Sequence, residues 1–427
     1  MAANGKLLIK GGRVVDPANK RDGRFDILIE RGLIADVQPS ISANGSKVLD
    51  AAGKLVAPGF VDLHAHLRQP GREDKETIET GSAAAVRGGF TTLCAMPNTT
   101  PAIDDRGVAE FIQQEAARVG LVRVRPIGAI TKGRQGKELT DFGELFDAGC
   151  VALSDDGAPV ADGLLMRRAL EYARIFGRPL IQHAEDPALV AGGVMHEGLV
   201  ATTLGLRGIP SEAESVMVAR DVALAQLTGG WVHFAHLSTA QAVELVRQAK
   251  RRGVRVTCEV TPHHLALTHE AVEGFETAAK VNPPLRTEQD RLALIEGLRD
   301  GTIDCIATDH APHTDWEKDA DFDTAPFGIS GLETALGVCV ETLLASKLLD
   351  WPRLVAALST APATIAGLEA GTLTVGAEAD LVLIDPAKRW TVDPNAFASK
   401  GRHSPFAGRT LTGAVTRVLR RGAVVGP

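Results

Sequence analysis

The stretch GFVDLHAHLRQPG, Gly59 to Gly71, places His64, His66 and Arg68 at alternate positions after the apolar run Phe60-Val61-Asp62-Leu63. The run reads as a buried strand, and in an extended chain alternate side chains share one side. Two imidazoles and a guanidinium make costly core filler, because buried polar groups need partners. A zinc-like ion with an anionic ligand nearby accounts for all three together. Imidazole binds such a metal, and arginine pairs with carboxylates.

Four other apolar runs also finish in groups suited to chemistry: Ser154-Asp155-Asp156-Gly157, Gln182-His183-Ala184-Glu185, His236 in FAHLS, and Asp309-His310-Ala311-Pro312-His313. Four neutral imidazoles and two carboxylates suit zinc or a similar metal, whereas calcium and magnesium prefer oxygen. Six ligands exceed the three of an ordinary mononuclear catalytic site. Two metals sharing a bridging carboxylate and hydroxide fit better. Such a centre activates water and polarises a carbonyl, so the chemistry is hydroxide attack on an amide-like carbon, or its reverse.

These groups need a scaffold that brings distant segments to one place. Eight apolar runs read as strands, at 59–67, 90–98, 124–131, 150–157, 179–185, 231–238, 254–264 and 304–313. Helical patterns fall between them, for example at 76–89, 163–177, 239–253 and 288–301. Eight βα units predict an α/β protein with a (β/α)8 TIM barrel, whose C-terminal strand ends converge on one mouth. The first 57 residues and the last 60 or so look like short strands punctuated by Gly, Asn and Asp turns. The expected organisation is a small β-sandwich built from 1–57 and 366–427, flanking a metal-dependent barrel at 58–365.

The chain has 427 residues, 44% hydrophobic and 23% charged, with a formal net charge of -7 and no basic run. That describes a soluble globular protein and argues against nucleic acid as a partner. No stretch of about 18 apolar residues predicts a membrane span, and no signal-peptide pattern opens the chain, so cytoplasmic residence is the expectation. Cys94, Cys150, Cys258, Cys305 and Cys339 are scattered without a CxxC, which reads as reduced interior thiols.

The segments DLHAHLRQPGRED, GSAAAVRGGFTTLCAMPNTTP, QHAED, AHLST and ATDHAPH resemble the class I dihydroorotases of the amidohydrolase superfamily, nearly end to end. The resemblance implies reversible, zinc-dependent cyclisation of N-carbamoyl-L-aspartate to (S)-dihydroorotate and water in pyrimidine (UMP) biosynthesis, with two Zn2+ per subunit. It places His64, His66 and Asp309 on one zinc and His183 and His236 on the other, with Asp156 as the bridge. It makes Asp309 the proton carrier. His66, Arg68, Asn98 and His313 would contact substrate, the last three at its carboxylate, and Asn282 and the backbone at Phe327 and Gly328 would hold the ring. It also implies a homodimer and admits aspartate transcarbamoylase as a partner. One departure is visible: the family usually has Arg-Glu-Pro-Gly where this chain has Arg68-Gln69-Pro70-Gly71, a change expected to be neutral for metal binding.

Two other readings compete. Sister cyclic amidases, dihydropyrimidinase (hydantoinase) or allantoinase, generally bridge their metals with a carboxylated lysine from strand 4. Strand 4 here ends in VALSDDGAP, and Lys132 follows strand 3 instead. A catalytically silent partner of aspartate transcarbamoylase would have lost metal ligands, and all six are kept. Of the remaining histidines, His263 and His264 face the mouth in supporting roles, and His310 points away. His196, His233, His269 and His403 read as structural or surface residues. The acidic, turn-rich segment 314–328 is either a solvated loop or a cover over substrate.

Overall fold

The computed structural model describes residues 5–426. Its centre is a ring of eight parallel strands, hereafter barrel strands 1 to 8: Phe60–Ala65, Phe90–Ala95, Arg123–Pro126, Leu153–Ser154, Leu180–Gln182, Val232–Phe234, Val256–Val260 and Cys305–Ile306. Strands 1 to 3 form one hydrogen-bonded ladder and strands 4 to 8 another. Parallel bridges from Gly128 to Leu153 and from Ala65 to His310 close the ring.

The strands are shorter than the apolar runs that announce them. Strands 4 and 8 keep two residues each, because the ligand-bearing ends leave the ladder. Arg68, His236 and Asp309 have φ of 60°, 32° and 46°. Non-glycine residues hold that left-handed backbone only when their surroundings fix it.

Helices begin where the sequence supplies a cap. The side chains of Thr77, Asp105, Asp162, Thr239 and Thr287 each accept a backbone N–H of the first turn of Ile78–Gly88, Arg106–Val119, Gly163–Phe176, Ala240–Arg251 and Glu288–Asp300. Their apolar faces close on the strands in one continuous core that includes Ala84, Ile112, Leu170, Val246 and Leu298 against Leu93, Val124, Leu180, Phe234 and Val260. Leu63, Met96, Ile127, Ile181 and Ala307 fill the barrel interior together with Ile365 and Ala366. All five cysteines are buried and unbridged.

The two chain ends share an 8-stranded sheet. Lys6–Asp16 pairs along one edge with Arg21–Glu30, and along the other first with Lys47–Asp50 and then with Leu55–Pro58. Leu55–Pro58 also pairs with the C-terminal strand Leu381–Thr391, which continues the sheet to Thr410–Arg420. One strand feeding two neighbours on the same edge folds the sheet over its own core of Ile9, Val14, Ile27, Ile34, Leu381, Leu383 and Leu419.

Candidate metal centre and substrate pocket

The six side chains singled out as ligands meet at the C-terminal mouth of the barrel, and all six are buried. Asp156, just past strand 4, is the hub. Its Oδ2 lies 3.2 Å from His64 Nε2 and 3.4 Å from His66 Nε2, and its Oδ1 lies 3.4 Å from both His183 Nδ1 and His236 Nε2. One oxygen therefore faces each pair of imidazoles. Asp309 Oδ1 sits 3.1 Å from His66 Nε2 and 3.6 Å from His64 Nε2. Among these six, two trios have their ligand atoms within 4.8 Å of one another: His64, His66 and Asp309, and His64, Asp156 and His236.

The protonation pattern shows that these residues fit a cation. His64 Nδ1 is 2.8 Å from Glu259 Oε1. Burial opposes ionisation of Glu259, but His233 and His64 outweigh it and bring its pKa down to about 2. The His64 Nδ1–H therefore donates to Glu259. Its Nε2 is left buried, without a hydrogen-bond partner, facing the oxygens of Asp156 and Asp309. A bare lone pair opposite two anions calls for positive charge between them. Without a metal a proton serves: burial disfavours charged His64, yet Asp156 and Asp309 raise its pKa well above the usual range. His183 likewise rises to about 10, where Asp156 and Glu185 outweigh burial. Imidazole and carboxylate donors suit a zinc-like divalent ion.

Outer partners orient the ligands, as metal sites require. His66 Nδ1 donates to Asn98 Oδ1 at 2.8 Å, so the Asn98 amide oxygen fixes the ring of His66. His183 Nε2 lies 3.3 Å from Glu185 Oε2. Sequence reasoning missed Glu259, which also binds His233 at 3.1 Å, and Glu214, which accepts from the backbone N–H groups of Ser238 and Thr239 just past His236, each at 3.0 Å. A charged residue interrupting the apolar VTCEV run was the available signal for Glu259. Asp62, inside strand 1, accepts from the Thr308 N–H at 2.9 Å and ties strands 1 and 8 together.

Beside the cluster opens a cavity of about 320 Å³ lined by His66, Arg68, Asn98, Asn282, His313 and the Pro326–Gly328 segment, with Asp156, His183, His236 and Asp309 at its floor. Arg68 is half-buried; its Nε donates to Pro312 O at 3.3 Å, and it has no ion-pair partner among the described residues. Burial lowers its pKa to about 10, so it stays charged. Asn282 donates to Glu185 Oε2 at 3.2 Å and keeps its Oδ1 buried and unpartnered. His313 Nε2 donates to Phe327 O at 2.8 Å. At Gly328 the N–H donates to Lys280 O at 2.9 Å, and the carbonyl accepts from Lys318 Nζ at 3.0 Å and keeps a second lone pair. Gly328 also provides room: with φ at 131°, an added Cβ would fall 2.6 Å from Ala311 O.

Other residues fall away from the cluster. Asp155 faces the opposite way to Asp156 and accepts from the Thr131 N–H at 3.0 Å and from its hydroxyl. Lys132 is exposed and paired with Glu138. His310 Nε2 donates to Glu76 at 3.1 Å, and His264 donates to Pro283 O at 2.9 Å. His263 is buried near the mouth and pushed down to about 4 by burial. Gln69 accepts the Ile78 N–H at 2.9 Å, at the start of a helix and outside the six-residue cluster. The 314–328 segment is anchored from inside. Buried Lys318 donates to Pro326 O at 3.0 Å, and buried Lys280 donates to Phe322 O at 2.5 Å.

A closed (β/α)8 barrel with histidines and aspartates converging at its C-terminal mouth, joined to a sheet built from both chain ends, defines an amidohydrolase equipped for a divalent metal. The "Dihydro-orotase-like" family matches residues 53–242, and the "Amidohydrolase family" matches residues 296–425. The chain is 56% identical to the dihydroorotase of Anaeromyxobacter dehalogenans (strain 2CP-C), over 98% of this chain and 97% of that one. It is 54% identical to the dihydroorotase of Pelotomaculum thermopropionicum, over 98% of each. Among solved structures it resembles the L-hydantoinase (dihydropyrimidinase) of Arthrobacter aurescens, with a TM-score of 0.89 and 27% identity over 99% of this chain and 96% of that one. The chain belongs to the dihydroorotase family. Among the described residues, no helix is long and apolar enough to cross a membrane.

Proposed function

We propose that this chain interconverts N-carbamoyl-L-aspartate and (S)-dihydroorotate, a ring closure of pyrimidine biosynthesis, with two zinc ions per subunit. His64, His66 and Asp309 hold one ion, His183 and His236 the other, and Asp156 lies between them. A divalent metal bound there supplies Lewis acidity, lowering the pKa of water and polarising the amide carbonyl. Arg68, the Asn98 NH2 and the His313 N–H hold the substrate carboxylate, and the unpartnered Asn282 Oδ1 accepts a ring N–H. Asp309 is kept ionised by His64 and His66 against the effect of burial, its pKa held far below the usual carboxylate range. It takes the proton from the attacking water and returns it to the leaving ring nitrogen.

One observation carries the choice of substrate: Arg68 is a cavity-lining guanidinium with no carboxylate partner among the described residues. Such a fork calls for a planar anion. Simple hydantoins and allantoin lack that carboxylate. The lysine-bridge pattern of the sister amidases has no counterpart here, since Lys132 points to solvent and Asp156 occupies the strand-4 position.

The test is turnover of dihydroorotate, hydantoin and allantoin by one purified sample whose metal content is measured. Dihydroorotate should dominate, with about two ions per chain. Faster hydantoin turnover would transfer the protein to the sister class, and a loaded protein inert to all three would make it a silent partner. The same reading includes a cytoplasmic homodimer, a barrel at 58–365 with its accessory sheet outside those bounds, and aspartate transcarbamoylase as a further partner. Light scattering with and without a transcarbamoylase tests the assembly.

A further inference from the structure

Two loops meet over the cavity, one following strand 1 and one following strand 8. Lys75 of the first reaches into the second with its side chain only 9% exposed. Its Nζ lies 3.0 Å from His313 Nδ1 and 2.8 Å from Glu317 Oε1. The other ring nitrogen, His313 Nε2, lies 2.8 Å from Phe327 O. An ammonium has only donors and a carbonyl only acceptors. Nδ1 must therefore accept, and Nε2 must carry the proton. Glu317 does not compete for Nδ1. It is 3.5 Å away, while its oxygens take the Arg72 guanidinium at 3.1 Å and the Thr314 hydroxyl at 3.0 Å.

We propose that Lys75 is a positioning residue for substrate recognition, fixing His313 as the neutral Nε2–H tautomer so that its single N–H exchanges Phe327 O for an oxygen of the substrate carboxylate. This rests on the dihydroorotate reading of the cavity. The exchange leaves nothing unpaired: the carboxylate takes the imidazole N–H, and the freed Phe327 carbonyl can accept a ring N–H. It also places an uncharged donor beside Arg68, so one cation and one neutral group meet one anion. The neutral state agrees with the surroundings. Burial, with Arg68, Lys75 and Lys318 around it, lowers the His313 pKa to about 2. Without the Lys75 donor, Nδ1 is free to take a proton and turn its ring toward Glu317.

The experiment uses metal-loaded protein. In spectra of 15N-histidine-labelled parent, the His313 signals, assigned by their loss in His313→Gln, should show an acceptor-type Nδ1 and a donor-type Nε2. In Lys75→Met, KM for dihydroorotate should rise about tenfold, with kcat within about twofold and metal content unchanged. Lys75→Arg, which keeps a donor, should recover part of the loss. A donor-type Nδ1 in the parent, or an unchanged KM in Lys75→Met, overturns the proposal. The tautomer measurement decides even if Lys75→Met fails to fold. A parent that does not turn over dihydroorotate would strike the functional reading and, with it, the substrate-recognition half of this proposal, whereas a donor-type Nδ1, read without substrate, would strike the Lys75–His313 half alone.

Discussion

Asp156 and Asp155 are adjacent, both buried and similar in size, yet their replacement should have opposite consequences. Asp156→Asn removes the charge that four imidazoles share at 3.2 to 3.4 Å while keeping the shape. A unit charge pair at 3.4 Å is worth about 5 kcal/mol at an effective dielectric of about 20. Breaking a buried pair by removing one partner costs about 3–5 kcal/mol. Taking about 3–4 kcal/mol, metal affinity should fall by two to three orders of magnitude, since about 1.4 kcal/mol is tenfold. Asp155→Asn should keep its metal and lose about 1–2 kcal/mol of folding stability, through weakened bonds to Thr131. The assay is metal content after dialysis against graded chelator, with urea unfolding on the same samples. Added bicarbonate should rescue neither variant, because a carboxylate needs no carbon dioxide to be anionic. Metal loss in Asp155→Asn but not in Asp156→Asn would refute the assignment of the hub. Rescue by bicarbonate would point to a carboxylated lysine and so to the sister amidases.

Arg68→Met should lower kcat/KM for dihydroorotate by about 2–5 kcal/mol with metal retained, and equal turnover by variant and parent would remove Arg68 from the site. Glu259→Gln keeps an acceptor for the His64 Nδ1–H but loses the charge, so metal affinity should drop about 10–100-fold in a chelator competition. Unchanged affinity would leave Glu259 a packing residue. Lys318 carries a pH prediction. Burial lowers its pKa to about 7 from the ordinary 10.5, so folded and unfolded chains are both protonated below about pH 7 and the cost of burying the charge is then constant. Above that the folded chain releases the proton first, and stability should rise by at most about 1.4 kcal/mol per pH unit until the unfolded lysine also titrates. The parent should therefore gain on Lys318→Met between about pH 7 and 10 in urea unfolding. A constant difference across that range would place the Lys318 pKa near its ordinary value.

What was legible in the chain and what was not follow from where each residue's partner lies. His64, His66 and Arg68 were legible because their spacing matches the strand period, and Asp155 and Asp156 point apart for the same reason. The eight apolar runs announced the barrel. Their ends were overextended because residues that turn toward the mouth take left-handed backbone, as at His236 and Asp309, and residue type does not betray that. Glu259 was opaque for another reason: its partners His64 and His233 sit on strands 1 and 6, so only the closed ring brings them to it. Lys75, Lys280 and Lys318 were the most misleading. Lysine is rarely buried, and Lys318 lies in the acidic, turn-rich stretch that reads as either a solvated loop or a cover over substrate. All three are buried, and their ammonium groups bond to a ring nitrogen or to backbone carbonyls of the strand-8 loop. The loop that lines the cavity is therefore shaped by interior cations and not by its surface acids. Charge reversal at exposed Asp321 or Asp323 should accordingly leave dihydroorotate KM within about twofold, whereas neutralising Lys75 should not.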